Sequence, residues 1–213
     1  MGVVALVSLD QLSAQPVADD WLIVPGVRVG PISELTSEAE LQGIFGVENV
    51  EAIDVELGEG FSEPGTAVFP DDAARRIEIA WTDSSRSAPK EVRITGEASS
   101  WRTSEGISLG STLKEIERIN GYPFRLAGFA FDYGGTITGC GRGRLAMLGC
   151  NDGSGVRLER QVVLRLSPGN EARALPEYGQ VIGDREFSSG HPAMQALDPS
   201  VYQMIVFIGR DSR

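Results

Sequence analysis

Cationic side chains are scarce in this chain of 213 residues: 19 Lys and Arg stand against 30 Asp and Glu, for a net charge of −11. Phosphate backbones and anionic lipid surfaces are held by clustered Lys and Arg, so this balance argues against both as partners. One His and two Cys, with no Cys-x-x-Cys pair, are too few for a typical zinc site. No Asp-x-Asp-x-Asp calcium loop is present. No apolar run is long enough to span a bilayer as a helix. The expectation is a chain without metal, cofactor or membrane span.

Glycine is plentiful, at 26 residues, which implies many turns and short strands. The length suits one domain or two small ones, and a chain of this size buries roughly 70% of its unfolded surface. The first residues, MGVVALVSLDQLSAQPVADDW, are similar to the end of a secretory signal: Val3–Leu9 is apolar and Ser13-Ala14 can precede a cleavage site. They lack the basic region of such a signal, and Leu12 is a poor residue three before the cut; the competing reading is an ordinary first strand. We expect residues 1–15 to be a signal remnant and the chain to be periplasmic or secreted. In that setting Cys140 and Cys150, which bracket CGRGRLAMLGC, form a disulfide; two buried thiols are the alternative.

The stretch Gly106–Gly143 organises the chain. Thr112-x-x-Glu115 is a capping box, in which each side chain answers an unpaired backbone donor at a helix start. Leu113, Ile116 and Ile119 form the inward face, and Gly121 ends the helix. Ser37-x-x-Glu40, with Leu41, Ile44, Phe45 and Gly46, is a weaker copy of the same element. Helices this short do not persist alone and must lie on a sheet.

Strands are expected at Trp21–Val29 with a break at Pro25-Gly26, and at Val50–Leu57, Thr66–Phe69, Arg75–Asp83, Glu91–Thr95, Phe124–Tyr133 and Thr136–Thr138. A hairpin turn at Asn151-Asp152-Gly153 leads to Val156–Ser167, where Arg160 is the one polar residue on an apolar face. Val201–Ile208 is almost wholly apolar and reads as a central strand. The fold class is α+β: an antiparallel sheet, continuous, with two short capped helices on one face. Residues 16–213 are expected to form a single domain of two related helix-then-strands units, about 28–97 and 104–168, followed by a C-terminal strand segment, 169–213.

Gly110-Ser111-Thr112, Glu115-Ile116 and Gly121-Tyr122-Pro123 resemble the opening of small bacterial envelope domains, the outer-membrane assembly lipoproteins and the β-lactamase-inhibitor-like fold. The wider pattern GISLGSTL, NGYPF and GFAFDYGG is similar to a group of uncharacterised secreted bacterial proteins. The resemblance covers about a third of the chain. It implies export and an envelope setting, and it implies no catalytic residues, because such domains act by contact with other proteins.

Gly106-Ile107-Ser108-Leu109-Gly110 matches the G-x-S-x-G nucleophile elbow, with His191 later in the chain. The segment before Ser108, SSWRTSE, is polar where an elbow needs a buried strand, and the crossover helices of that fold are missing. Gly139–Gly143 is glycine-rich but lacks a phosphate-binding lysine. His191 stands in the loop SSGHP.

Asp132-Tyr133, between an apolar strand and Gly134-Gly135, is the candidate ligand-binding spot, with Trp101 and Arg102 expected nearby; its structural alternative is a turn-capping Asp beside a core Tyr. The leading expectation is an exported binding or interaction domain with a protein or glycan partner. The alternatives are a serine hydrolase using Ser108 and His191, and a purely structural envelope protein.

Overall fold

A computed structural model describes residues 20–150 and 161–208 of the chain. The expected signal remnant at 1–15, the turn at Asn151-Asp152-Gly153 and the Val156–Arg160 part of the twelve-residue strand lie outside the described residues.

The first half contains β1 (Leu22–Val24), β2 (Arg28–Val29), β3 (Ile32–Ser33), α1 (Glu38–Phe45), β4 (Val50–Gly58), β5 (Phe61–Val68), β6 (Ile77–Trp81) and β7 (Pro89–Thr95). The second contains β8 (Arg102–Thr103), α2 (Leu113–Asn120), β9 (Arg125–Ala127), β10 (Ile137–Gly139), β11 (Val162–Ser167), α3 (Asn170–Arg173), β12 (Glu186–Ser188), α4 (Pro192–Leu197) and β13 (Ser200–Phe207). The class is α+β, as the sequence indicates.

The strands form three sheets rather than one continuous sheet. The largest is antiparallel, in the order β11-β13-β7-β6-β5-β4; β3-β2-β1-β8 and β10-β9-β12 are the smaller ones. One pairing, β1 with β8, is parallel. The C-terminal strand β13 inserts between β11 and β7, so it has neighbours on both sides. It is buried at three successive positions, Met204, Ile205 and Val206, as its unbroken apolar run requires.

Register sets which side chains of the large sheet enter the main core. Val162, Val206, Val92, Ile79 and Thr66 lie in one cross-strand row. Side chains alternate across a strand, so this row and the next, Leu164, Met204 and Ile94, point to the same side. They join a single core that also takes Leu41, Phe45, Leu113 and Ile116 from the two capped helices. The opposite row, Val163, Ile205, Arg93 and Glu78, points the other way.

Both capping boxes form. Ser37 Oγ accepts from the Glu40 amide while the Glu40 carboxylate accepts from the Ser37 amide. Thr112 and Glu115 repeat the exchange. Gly46 and Gly121 end the helices with positive φ, 91° and 80°, a region that costs a side chain energy. A polar chain ties α1 to the sheet: Trp81 Nε1 donates to Thr66 Oγ1 at 2.9 Å, which donates to Glu38 Oε1 at 2.6 Å. After α1 the chain forms the outer hairpin of the large sheet, β4–β5; after α2 it forms the centre of the three-stranded sheet, β9.

The expected ten-residue strand Phe124–Tyr133 is only three residues long, Arg125–Ala127. It stops at Gly128, where an added Cβ would press on the carbonyl oxygens of Gly183 and Val181. Phe129 then pairs with Ile182, and Ala130 takes a φ of 66°. The apolar side chains of the run are used for packing, but close backbone contact with the segment before β12 ends the ladder.

Candidate functional site

On the outward face of the large sheet lies a cleft of about 1320 Å³. The floor is Val163 and Arg165 from β11, Ile205 and Phe207 from β13, and Glu91 and Arg93 from β7. The walls are the Pro25-Gly26-Val27 turn, Glu59 at the tip of the β4–β5 hairpin, and the Phe131-Asp132-Tyr133 loop with Thr136 and Thr138. Gly65 in β5 allows the hairpin to curl inward, because an added Cβ would meet the Val55 side chain and the Ile79 carbonyl.

An ion pair is built into the floor. Glu91 and Arg93 alternate with the core residues Val92 and Ile94, so both point into the cleft from one strand. Arg93 Nε donates to Glu91 Oε1 at 2.6 Å, and the two side chains are 8% and 7% exposed. Arg93 Nη2 also donates to the Leu57 carbonyl of β4 at 3.2 Å. The guanidinium therefore neutralises a buried carboxylate and pins the curled hairpin above it.

Arg165 is different. Its Nη1 donates to Gln203 Oε1 at 3.1 Å, and its guanidinium carbon lies 5.2 Å from the centre of the Tyr133 ring. Its Nε is buried without a hydrogen-bond partner, and among the described residues no carboxylate pairs with it. Thr138 Oγ1, on the wall, is also buried and unpartnered. Above Arg165, the phenol of Tyr133 has its pKa raised, chiefly by the Glu59 carboxylate, with Asp132 adding to the effect. Glu59, at the hairpin tip, and Tyr133, on the opposite wall, both line the cleft.

The structure brings two of the expected ligand-binding residues, Asp132 and Tyr133, to this cleft. It does not bring the others. Trp101 is wholly buried, edge-on to Trp21 with ring centres 5.1 Å apart, and its Nε1 donates to the Arg75 carbonyl. Its large apolar surface completes the core instead of reaching a ligand. Arg102 is exposed on β8, and neither residue lines the cleft.

Ser108 and His191 do not line it either. The Ser108 amide donates to Ser111 Oγ in the turn before α2. His191 caps α4, its Nδ1 accepting from the Ala193 amide at 3.1 Å with its ring edge on Phe187. Among the described residues no hydrogen bond joins Ser108 to His191. Cys140 and Cys150 are disulfide-bonded, with Cα atoms 5.8 Å apart. The glycine-rich Gly139–Gly143 segment leads into this loop, and Gly143 packs on the side chain of Asn120.

Among the described residues no group of three or more His, Cys, Asp or Glu is placed to hold a metal ion, and no helix is long and apolar enough to cross a membrane. What the arrangement offers is recognition: an apolar floor of Val163, Ile205 and Phe207, one neutralised ion pair, one unpaired guanidinium, and carboxylates at the rim. Glu91, Arg93, Arg165 and Glu59 were not singled out by the sequence reading. The available signal was the charged alternate position in two apolar strands, Glu91-Val92-Arg93-Ile94 and Leu164-Arg165-Leu166, which looks the same as a solvated sheet face. Comparison with protein-family models, curated proteins and solved structures finds no match to this chain.

Proposed function

We propose that this chain is an exported binding domain that takes an extended ligand or a segment of a partner into the cleft on the outward face of its six-stranded sheet. The observation that carries this reading is the cleft itself: a concave volume of about 1320 Å³ whose floor sets the apolar side chains of Val163, Ile205 and Phe207 among a few convergent polar groups. Its polar groups are suited to holding rather than reacting. The Glu91–Arg93 pair is internally satisfied, and Tyr133 is a neutral phenol whose pKa the Glu59 carboxylate raises further. Export is supported by the Cys140–Cys150 disulfide, a bond that persists in oxidising compartments, and by the resemblance to envelope domains carried by the capped helix Thr112–Gly121. The partner class is a peptide or glycan.

The test is amide-resolved NMR during titration with two panels, short peptides and neutral or acidic oligosaccharides. Saturable shifts are expected at Val163, Arg165, Ile205 and Tyr133 for at least one panel. Shifts confined to other surfaces, such as the outer edge of β4, would remove the cleft from consideration.

A further inference from the structure

We infer that the cleft recognises a peptide by its free C-terminal carboxylate, with Arg165 as the anchor; this rests on the cleft being the binding site. The other arginine of the cleft floor, Arg93, is paired with Glu91. Arg165 lies on the cleft floor and pairs with no carboxylate among the described residues. One face of its fork is occupied by Gln203, while its buried Nε has no acceptor. The residue is half-buried and lines the cleft, and a bound carboxylate is the planar acceptor that answers a guanidinium without a carboxylate partner through charge-assisted hydrogen bonds. Tyr133, over whose ring the guanidinium sits, holds its plane in place.

The surrounding charges select among carboxylates. Glu59, Asp132 and Asp184 stand on the cleft walls with Glu91 on its floor; Arg93 is taken by Glu91 and Lys90 lies 3.7 Å from Glu63, so a second negative charge on the ligand is disfavoured. Phosphate, sulfate and polyuronate chains are thereby poor occupants. The same rim carboxylates are acceptors that require donors. Backbone amides and basic side chains supply these, and a fatty acid does not. Val163, Ile205 and Phe207 on the floor accept an apolar side chain, which a neutral sugar lacks. One carboxylate, several N–H donors and apolar side chains together describe the C-terminal end of a peptide.

The experiment uses two pools of random hexapeptides, identical except that one ends in the free carboxylate and the other in a carboxamide. Retention of each pool is measured by mass spectrometry on the immobilised full chain, and on its Arg165→Gln and Arg165→Lys variants. The free-acid pool is expected to be retained about 10 to 100 times more strongly than the amide pool, a preference lost in Arg165→Gln and weakened in Arg165→Lys, which keeps the charge but not the fork. Folding of the variants is checked by circular dichroism; the acid-against-amide comparison on the natural chain stands without them. Equal retention of the two pools, with shifts at the cleft amides, would overturn the carboxylate anchor and leave the cleft as a binding site. No retention of either pool, with oligosaccharides shifting the same amides, would overturn the peptide class alone. No shift at the cleft from any panel would overturn this inference and the binding reading together.

Discussion

Arg93 on β7 donates to the carbonyl of Leu57 on β4 at 3.2 Å, across two intervening strands of the sheet. The contact exists only because the sheet curls on itself, and it makes the Glu91–Arg93 pair both the floor of the cleft and the catch of its outer hairpin. Replacing Arg93 by Met leaves the Glu91 carboxylate buried and unpaired, which costs about 3–5 kcal/mol. The double variant Glu91→Leu, Arg93→Met removes both charges and is expected within about 1 kcal/mol of the natural chain, or more stable. Urea unfolding gives both numbers, and hydrogen exchange at Gly60 and Phe61 reports the hairpin, which should open in both variants. A cost below about 1 kcal/mol for Arg93→Met would mean that the pair is solvated rather than buried.

The Asn120 side chain ties the disulfide loop to the end of α2. Asn120 Nδ2 donates to the carbonyls of Tyr122 and Cys140 at 2.8 and 3.1 Å, and its Oδ1 accepts from the Leu145 amide at 2.9 Å. Asn120→Ala strands buried backbone groups and is expected to cost about 3 kcal/mol. Gly143 has an ordinary φ of −85°, so its constraint is space: a Cβ there would overlap Asn120 Oδ1. Gly143→Ala is therefore expected to be destabilising in the natural background and much less so on Asn120→Ala, a coupling that a double-mutant cycle measures directly. Additive effects would show that the two positions act independently.

Reducing the Cys140–Cys150 bond releases a loop with a sequence separation of 10 residues. The chain-entropy account gives about 2–3 kcal/mol for a loop of this length, which corresponds to a fall of roughly 5–10 °C in the melting temperature of a chain this size. A thermal melt with and without dithiothreitol checks it. Because Asn120 holds the same loop, the loss on reduction should be larger in Asn120→Ala than in the natural chain.

The features legible in the sequence are those fixed by neighbours along the chain. The two capping boxes are three-residue exchanges, and Ser37, Glu40, Thr112 and Glu115 form them as read. The pairing of two cysteines in one chain needs no long-range knowledge. The partition into three sheets was not legible, because it depends on pairings such as β13 with β7 that lie more than a hundred residues apart. The end of β9 at Gly128 is set by the carbonyls of Val181 and Gly183, which belong to a distant segment. The cleft was half legible. Asp132-Tyr133 is a polar pair beside a glycine turn, whereas Arg93 and Arg165 sit in an alternation that describes a solvated face equally well. The curled hairpin, the Pro25-Gly26-Val27 turn and the Phe131–Tyr133 loop, all distant in sequence from that alternation, turn the face into a pocket. Trp101 failed as a site residue for the opposite reason: an indole ahead of a polar segment reads as available, and the Arg75 carbonyl and the Trp21 ring claim it for the core.

The link between the hairpin tip and the far wall of the cleft can be read from Tyr133 alone. The Glu59 carboxylate beside its phenol favours the protonated form and raises its pKa above the ordinary tyrosine value. Of the four tyrosines, one is thus expected to ionise late in an ultraviolet titration, and Glu59→Gln should lower that transition toward the ordinary value near pH 10. The sign for stability follows from the direction of the shift. A folded-state pKa above the unfolded one contributes stability that is complete below about pH 10 and is lost as the pH rises through the folded value. Tyr133→Phe should remove the late transition and leave the neutral-pH melting temperature nearly unchanged, since the phenol is on the surface of the cleft. If Glu59→Gln leaves the late transition in place, the hairpin tip does not close on Tyr133, and the cleft is open along that side.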